Sequence, residues 1–218
     1  MMVTPPDRHR LPSALTIENW PAFTPEQPLR IVVSGCLVGL KVGADGTSYG
    51  EYPTIAELLA FPSVKATPFC PENFSFGTPR ACPDIHGGDG HDVLAGRARV
   101  LIPSGEDWTV GMIAAAREML GVARTENVRL AVLMDIYAAC GSQVIYAGKR
   151  RTAPYRIGRG VAAALLAEAG IPIVSQRDWR TLDRIFCKLD ASRSPDESLK
   201  DHHESDWYHE YFASLERQ

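Results

Sequence analysis

Five cysteines, at positions 36, 70, 82, 140 and 187, are the side chains in this sequence with the widest chemical reach. A thiolate is both a nucleophile and a soft metal ligand. An odd number of widely spaced cysteines, in a chain without a signal-peptide pattern, is not a disulfide framework. The paired C-x-x-C spacing of zinc ribbons and redox motifs is also absent. If these thiols act together, the fold has to bring them together.

The elements that could do so alternate in type. Residues 29–34 form a short apolar run ending at Gly35-Cys36 that reads as a buried strand, and 64–69 read as a second strand running into Cys70-Pro71. Residues 128–134 (VRLAVLM) are the strongest strand candidate and lead into 135–141, which contains Cys140. Residues 97–102 and 171–175 also read as strands. Helices are expected over 54–60, 107–124 (capped by Asp107 or Thr109), 158–169 with Gly170 as its stop, from 176 to about 189, and over 207–215. The Gly- and Pro-rich stretch 77–91 is expected to be one long loop, a kind that usually serves function. This alternation predicts an α/β, three-layer Rossmann-like fold with a mainly parallel sheet. Its parts are a Pro-rich arm (1–28), a main domain (29–190) and a polar tail with a short helix (191–218). Cys36, Cys70 and Cys140 each fall just past the C-terminal end of a strand, the edge where open α/β sheets bind ligands. Cys82 in the loop and Cys187 on a late helix do not share that placement, and read as a bystander thiol and a core residue.

Composition bounds the remaining possibilities. Apolar residues make up 45% and charged residues 22%, and the net charge is −3. That balance argues against a duplex-DNA binder, although Lys149, Arg150, Arg151, Arg156 and Arg159 form a local cluster, read as a solvated face or a hold for a substrate phosphate. No apolar run approaches the roughly 20 residues a membrane span needs, and the cytoplasm is the default compartment. Gly158-Arg159-Gly160 resembles part of a dinucleotide fingerprint, but no strand is expected at 154–157, and that context is required. His86 and His91 read as solvated loop residues, and His202, His203 and His209 as surface residues of the tail.

Several stretches in order resemble the thiouracil desulfurase family: SGCLVG at 34–39, DG at 45–46, CPEN at 70–73 and TPRACPDIHGGDGHDVLAGRARV at 78–100. ACGSQVIYAG at 139–148 and GRGVAAALLAEAGIPIVS at 158–175 complete the set. The resemblance implies a 4Fe–4S cluster on Cys36, Cys70 and Cys140, with one iron free of protein ligands. It also implies non-redox removal of sulfur from a thiolated pyrimidine, free or within a nucleotide, whose thiocarbonyl sulfur binds that iron. Three soft ligands leaving a position open suit a catalytic rather than a structural metal site. Glu72, two residues past Cys70, is the candidate to move protons. Asp45, Tyr137 and Ser142 are candidates for substrate binding, although Asp45-Gly46 is also ordinary turn chemistry.

The chain departs from the family pattern at the pocket. A Ser-Pro-Ser run usually precedes the third cysteine, where this sequence has Tyr137, Ala138 and Ala139; an Arg-Tyr pair before the Asp-Gly turn is replaced by Gly43-Ala44. A tyrosine hydroxyl, with a pKa near ~10, donates hydrogen bonds but is a poor base. If Tyr137 does not reach the pocket, Ser142 and Ser34 are next in line to supply the hydroxyl. The competing expectation is a non-catalytic iron–sulfur or zinc protein with a structural or sensing role.

Overall fold

The computed structural model describes residues 17–215, apart from residue 49 and residues 149–153. Lys149, Arg150 and Arg151 of the basic cluster therefore lie outside the described residues, as does most of the Pro-rich arm. Four strands form one parallel sheet: β1 (Leu29–Ser34), β2 (Val64–Phe69), β5 (Leu130–Leu133) and β8 (Ile173–Ser175), in the order β2-β1-β5-β8. Ile31, Val32 and Val33 of β1 and Leu130 to Leu133 of β5 are fully buried, as expected of central strands covered on both faces. The α/β, mainly parallel expectation holds.

Crossovers are made by α1 (Pro53–Ala60), α4 (Thr109–Thr125) and α5 (Val161–Glu168), while α6 (Trp179–Leu189) and α7 (Asp206–Leu215) follow the last strand. Asp107 accepts the Thr109 backbone N–H at 2.8 Å at the start of α4. Gly170, at φ +78°, ends α5 in the left-handed conformation that glycine adopts freely.

Four short strands and a short helix lie outside the main sheet. The stretch expected to be one loop contains β3 (Asp84–His86) and α3 (Gly90–Leu94), the latter started by an Asp89–Asp92 capping box. β3 pairs antiparallel with β4 (Arg99–Leu101), so the strand expected at 97–102 exists but belongs to a separate ribbon. A second ribbon pairs β6 (Val144–Tyr146) with β7 (Tyr155–Ile157). The expectation of no strand before Gly158 is thus corrected. β7 is not part of the parallel sheet, and Gly160 serves packing: a Cβ there would lie 2.5 Å from the carbonyl carbon and oxygen of Ala139. Among the described residues no helix is long and apolar enough to cross a membrane.

Candidate active site

β1, β2 and β5 end side by side, with Ser34 of β1 in register with Phe69 of β2. The chain leaves each strand directly into a cysteine-bearing turn. Cys36 sits in a 3-10 turn (Gly35–Leu37). Cys70 caps α2 (Pro71–Phe76), its sulfur accepting the Asn73 backbone N–H at 3.4 Å. Cys140 lies in the loop after β5. All three line one small open cavity at the C-terminal edge of the sheet. Cys82 lines it too, which corrects its reading as a thiol apart from the others. Cys187 is half-buried on α6 beside Lys188 and Pro195, far less enclosed than a core residue.

The three strand-end thiols feel one another. Burial pushes the Cys36 thiol up to about 12, with Cys70 and Glu72 acting in the same direction. Burial likewise raises Cys70, and it raises Cys140 well above the ordinary thiol range, with Cys70 and Cys36 adding to it. The Ser34 hydroxyl opposes this at Cys140 through a hydrogen bond, and accepts the Met134 N–H at 3.0 Å. A buried trio of thiols that resist ionisation becomes a trio of thiolates only around a positively charged group. Among the described residues no three His, Cys, Asp or Glu side chains are arranged to hold a single metal ion. Three thiols lining one cavity are a soft donor set of the kind that iron–sulfur clusters or zinc use.

The Cys140 loop is held unusually firmly. Helix α5 points its first N–H groups at it: Val161 N–H donates to the Ala138 carbonyl at 2.8 Å and Ala162 N–H to the Ala139 carbonyl at 3.0 Å. Gly160 N–H donates to the Gly141 carbonyl at 2.8 Å. A Cβ on Gly141 would lie 2.7 Å from the carbonyl oxygens of Tyr137 and Val144, so only glycine fits the turn. Ile136 adopts φ +64°, a costly conformation for a β-branched residue, and surrounding contacts must hold it.

Glu72 is buried at the cavity wall, and its Oε2 accepts from Arg80 Nη2 at 3.0 Å and Nε at 3.3 Å. Arg80 also donates its backbone N–H to the Ala44 carbonyl and Nη1 to the Thr78 hydroxyl, tying together the strands of chain around the cavity mouth. Only the residue types in the TPRACP stretch hinted at Arg80; nothing in the spacing assigned it to Glu72. Tyr137 lines the cavity, as do Gly43 and Ala44.

Two of the substrate-binding candidates lie elsewhere. Asp45 is exposed and caps its own turn, accepting Thr47 N–H and hydroxyl at 2.9 and 2.7 Å; those bonds lower its carboxyl. Ser142 is buried and does not line the cavity; its backbone N–H donates to Asp135. Ser34, held in reserve, touches Cys140 itself. Arg159 is buried and donates to the Ser142 carbonyl, so it does not belong to a solvated face, while half-buried Arg156 donates to the Gly88 carbonyl. His91 is paired with Glu168 at 2.8 Å, and His202 is buried rather than superficial.

Comparison with known proteins agrees with this architecture. The model of the 2-thiouracil desulfurase family matches residues 31–178. The protein YbbK of Bacillus subtilis (strain 168), itself uncharacterised, is 37% identical over 153 residues, covering 68% of this chain and 96% of that protein. The solved structure of TudS, a [4Fe-4S]-dependent thiouracil desulfidase, superposes with a TM-score of 0.57 at 31% identity, over 70% of this chain and 94% of the other. The chain belongs to the 2-thiouracil desulfurase family.

Proposed function

We propose that this protein is an iron–sulfur-dependent, non-redox desulfurase that removes sulfur from a thiolated pyrimidine, with Cys36, Cys70 and Cys140 as the three ligands of a 4Fe–4S cluster. The observation that carries the reading is the meeting of these three thiols, from three separate strand ends, in one cavity. When bound, the cluster supplies an open iron, a soft Lewis acid for the thiocarbonyl sulfur that leaves the C=S carbon prone to attack by water.

The chain's own residues supply the rest. Met134, Val42 and Ala139 give the cavity an apolar wall on which a pyrimidine ring can lie. Arg80 holds Glu72 through Oε2, leaving Oε1 as the oxygen that takes a proton from the attacking water. Tyr137, in the place of the family's serine, offers its hydroxyl farther from the backbone and narrows the cavity, which favours a substrate of different shape from free 2-thiouracil.

The test is turnover by anaerobically reconstituted protein offered 2-thiouracil and thiolated pyrimidine nucleotides. Release of sulfide and the oxygenated base in equal amounts, without added reductant, is expected. Binding of iron and sulfide without release from any of them would favour a structural or sensing role.

A further inference from the structure

Asp135 lies two residues past the end of β5, in the loop that carries Tyr137 and Cys140. Its side chain is completely buried and almost fully used. Oδ1 accepts the backbone N–H groups of Ser142, Gln143 and Val144 at 2.8, 3.1 and 3.2 Å, which draws the far end of the loop back onto its start. Oδ2 lies 2.5 Å from Nδ1 of His202. His202 is 3% exposed and belongs to a 3-10 turn (His202–Glu204), beyond the residues matched by the family model.

That turn is fixed from several sides. His202 N–H donates to Asp178 Oδ1 at 3.1 Å, and the imidazole stacks on Trp207 of α7 at 5.3 Å. Asp201 accepts the Thr181 N–H and hydroxyl at 2.9 and 2.7 Å, tying the turn to α6. A carboxylate accepting three backbone N–H groups on one oxygen needs a donor at the other, so Nδ1 carries the proton. Nε2 has no hydrogen-bond partner among the described residues.

We infer that His202 is a positioning residue of the site: through the Asp135 carboxylate it fixes the turn that presents Tyr137 and Cys140 to the cavity, making the C-terminal segment part of the functional unit. Without the Nδ1–H donor, the carboxylate would be a buried anion with one oxygen unsatisfied. It would turn toward other donors and loosen its grip on residues 142–144. Ile136, held at positive φ, would then be free to relax and carry Cys140 with it. The lock itself is independent of the proposed cluster; its consequence for iron retention rests on that reading.

Two isosteric variants separate this role from bulk packing. Asn places an amide N–H where Nδ1 stands, whereas Gln places it where Nε2 stands and where no partner waits. In cluster-free protein, amide hydrogen exchange at Ser142, Gln143 and Val144 should be about 10- to 150-fold faster in His202→Gln, the range expected for losing a hydrogen bond to a charged group. His202→Asn should stay near the original protein, and β1 should be unaffected in both. Equal exchange in the two variants, or a uniform rise that includes β1, overturns the inference. Should the Gln variant not fold, imidazole nitrogen NMR of the unaltered protein decides: a proton on Nδ1 is expected, and one on Nε2 alone overturns it. In reconstituted protein, ferrous-chelator assays should show faster iron loss for His202→Gln than for His202→Asn. A chain that binds no iron at all would refute the proposed function and leave the lock standing.

Discussion

Replacing Glu72 with Gln keeps its shape and removes both its charge and its capacity to carry a proton. The structure attaches a second consequence, because Glu72 and Arg80 form an ion pair at 3.0 Å with side chains only 7% and 5% exposed. Two unit charges at that separation attract by about 5 kcal/mol at an effective dielectric near 20. Removing one partner from a buried pair leaves the other uncompensated, at a cost of about 3–5 kcal/mol. Glu72→Gln should therefore lower unfolding free energy by about that amount, measured by urea denaturation of cluster-free protein, while turnover falls by about 10²-fold or more. Arg80→Met removes the same pair from the other side. In the double variant no stranded charge remains, so stability should recover most of the loss whereas turnover should not. If turnover recovers together with stability, Glu72 is Arg80's partner and nothing more, and the proton-transfer role is refuted.

Further outcomes follow from the same geometry. Tyr137→Ser should widen the cavity and raise kcat/KM on free 2-thiouracil, and a fall would show that the ring contributes binding rather than obstruction. Gly160→Ala drives a methyl to within 2.5 Å of the Ala139 backbone, so it should cost about 1–3 kcal/mol in denaturation; a neutral result would mean the loop can move aside. Asp178 is raised to about 7 by burial, which outweighs its Ser175 N–H bond. Such a carboxyl favours the protonated folded state. Its contribution is complete below about pH 4 and is lost as pH rises through about 7, at no more than about 1.4 kcal/mol per pH unit. Asp178→Asn should flatten the stability profile across that window, and an unchanged slope would place the titration elsewhere.

Much of this fold is legible in the sequence because β1, β5 and β8 are buried apolar runs bounded by turn residues, while the edge strand β2 is partly exposed. β1 ends at Ser34 and β2 at Phe69, just before Cys36 and Cys70, and so the positions of Cys36, Cys70 and Cys140 at one sheet edge could be read directly. The antiparallel ribbons could not: β3 and β7 are three residues each, too short for a period, and both are surrounded by glycine and proline. Cys82 follows no strand, yet the folded chain places it on the cavity wall. Asp45 and Ser142 stand within the family-like motifs, but their side chains serve a turn and the interior. His202 sits in a polar segment without periodicity, and its partner Asp135 lies 67 residues away, so only the folded chain brings the two together.

The proposed function requires that three thiols, and not four or two, hold one iron–sulfur cluster. Anaerobic reconstitution followed by iron and sulfide counts and a visible absorption spectrum tests it most directly, on the unaltered chain and on single Cys→Ala variants at 36, 70, 82, 140 and 187. About four irons and four sulfides per chain with a broad band at the violet edge of the visible are expected. The 36, 70 and 140 variants should each lose most of both elements, and those at 82 and 187 should keep them. Bound zinc without sulfide, or a loss at Cys82 equal to that at the other three, would refute this ligand set.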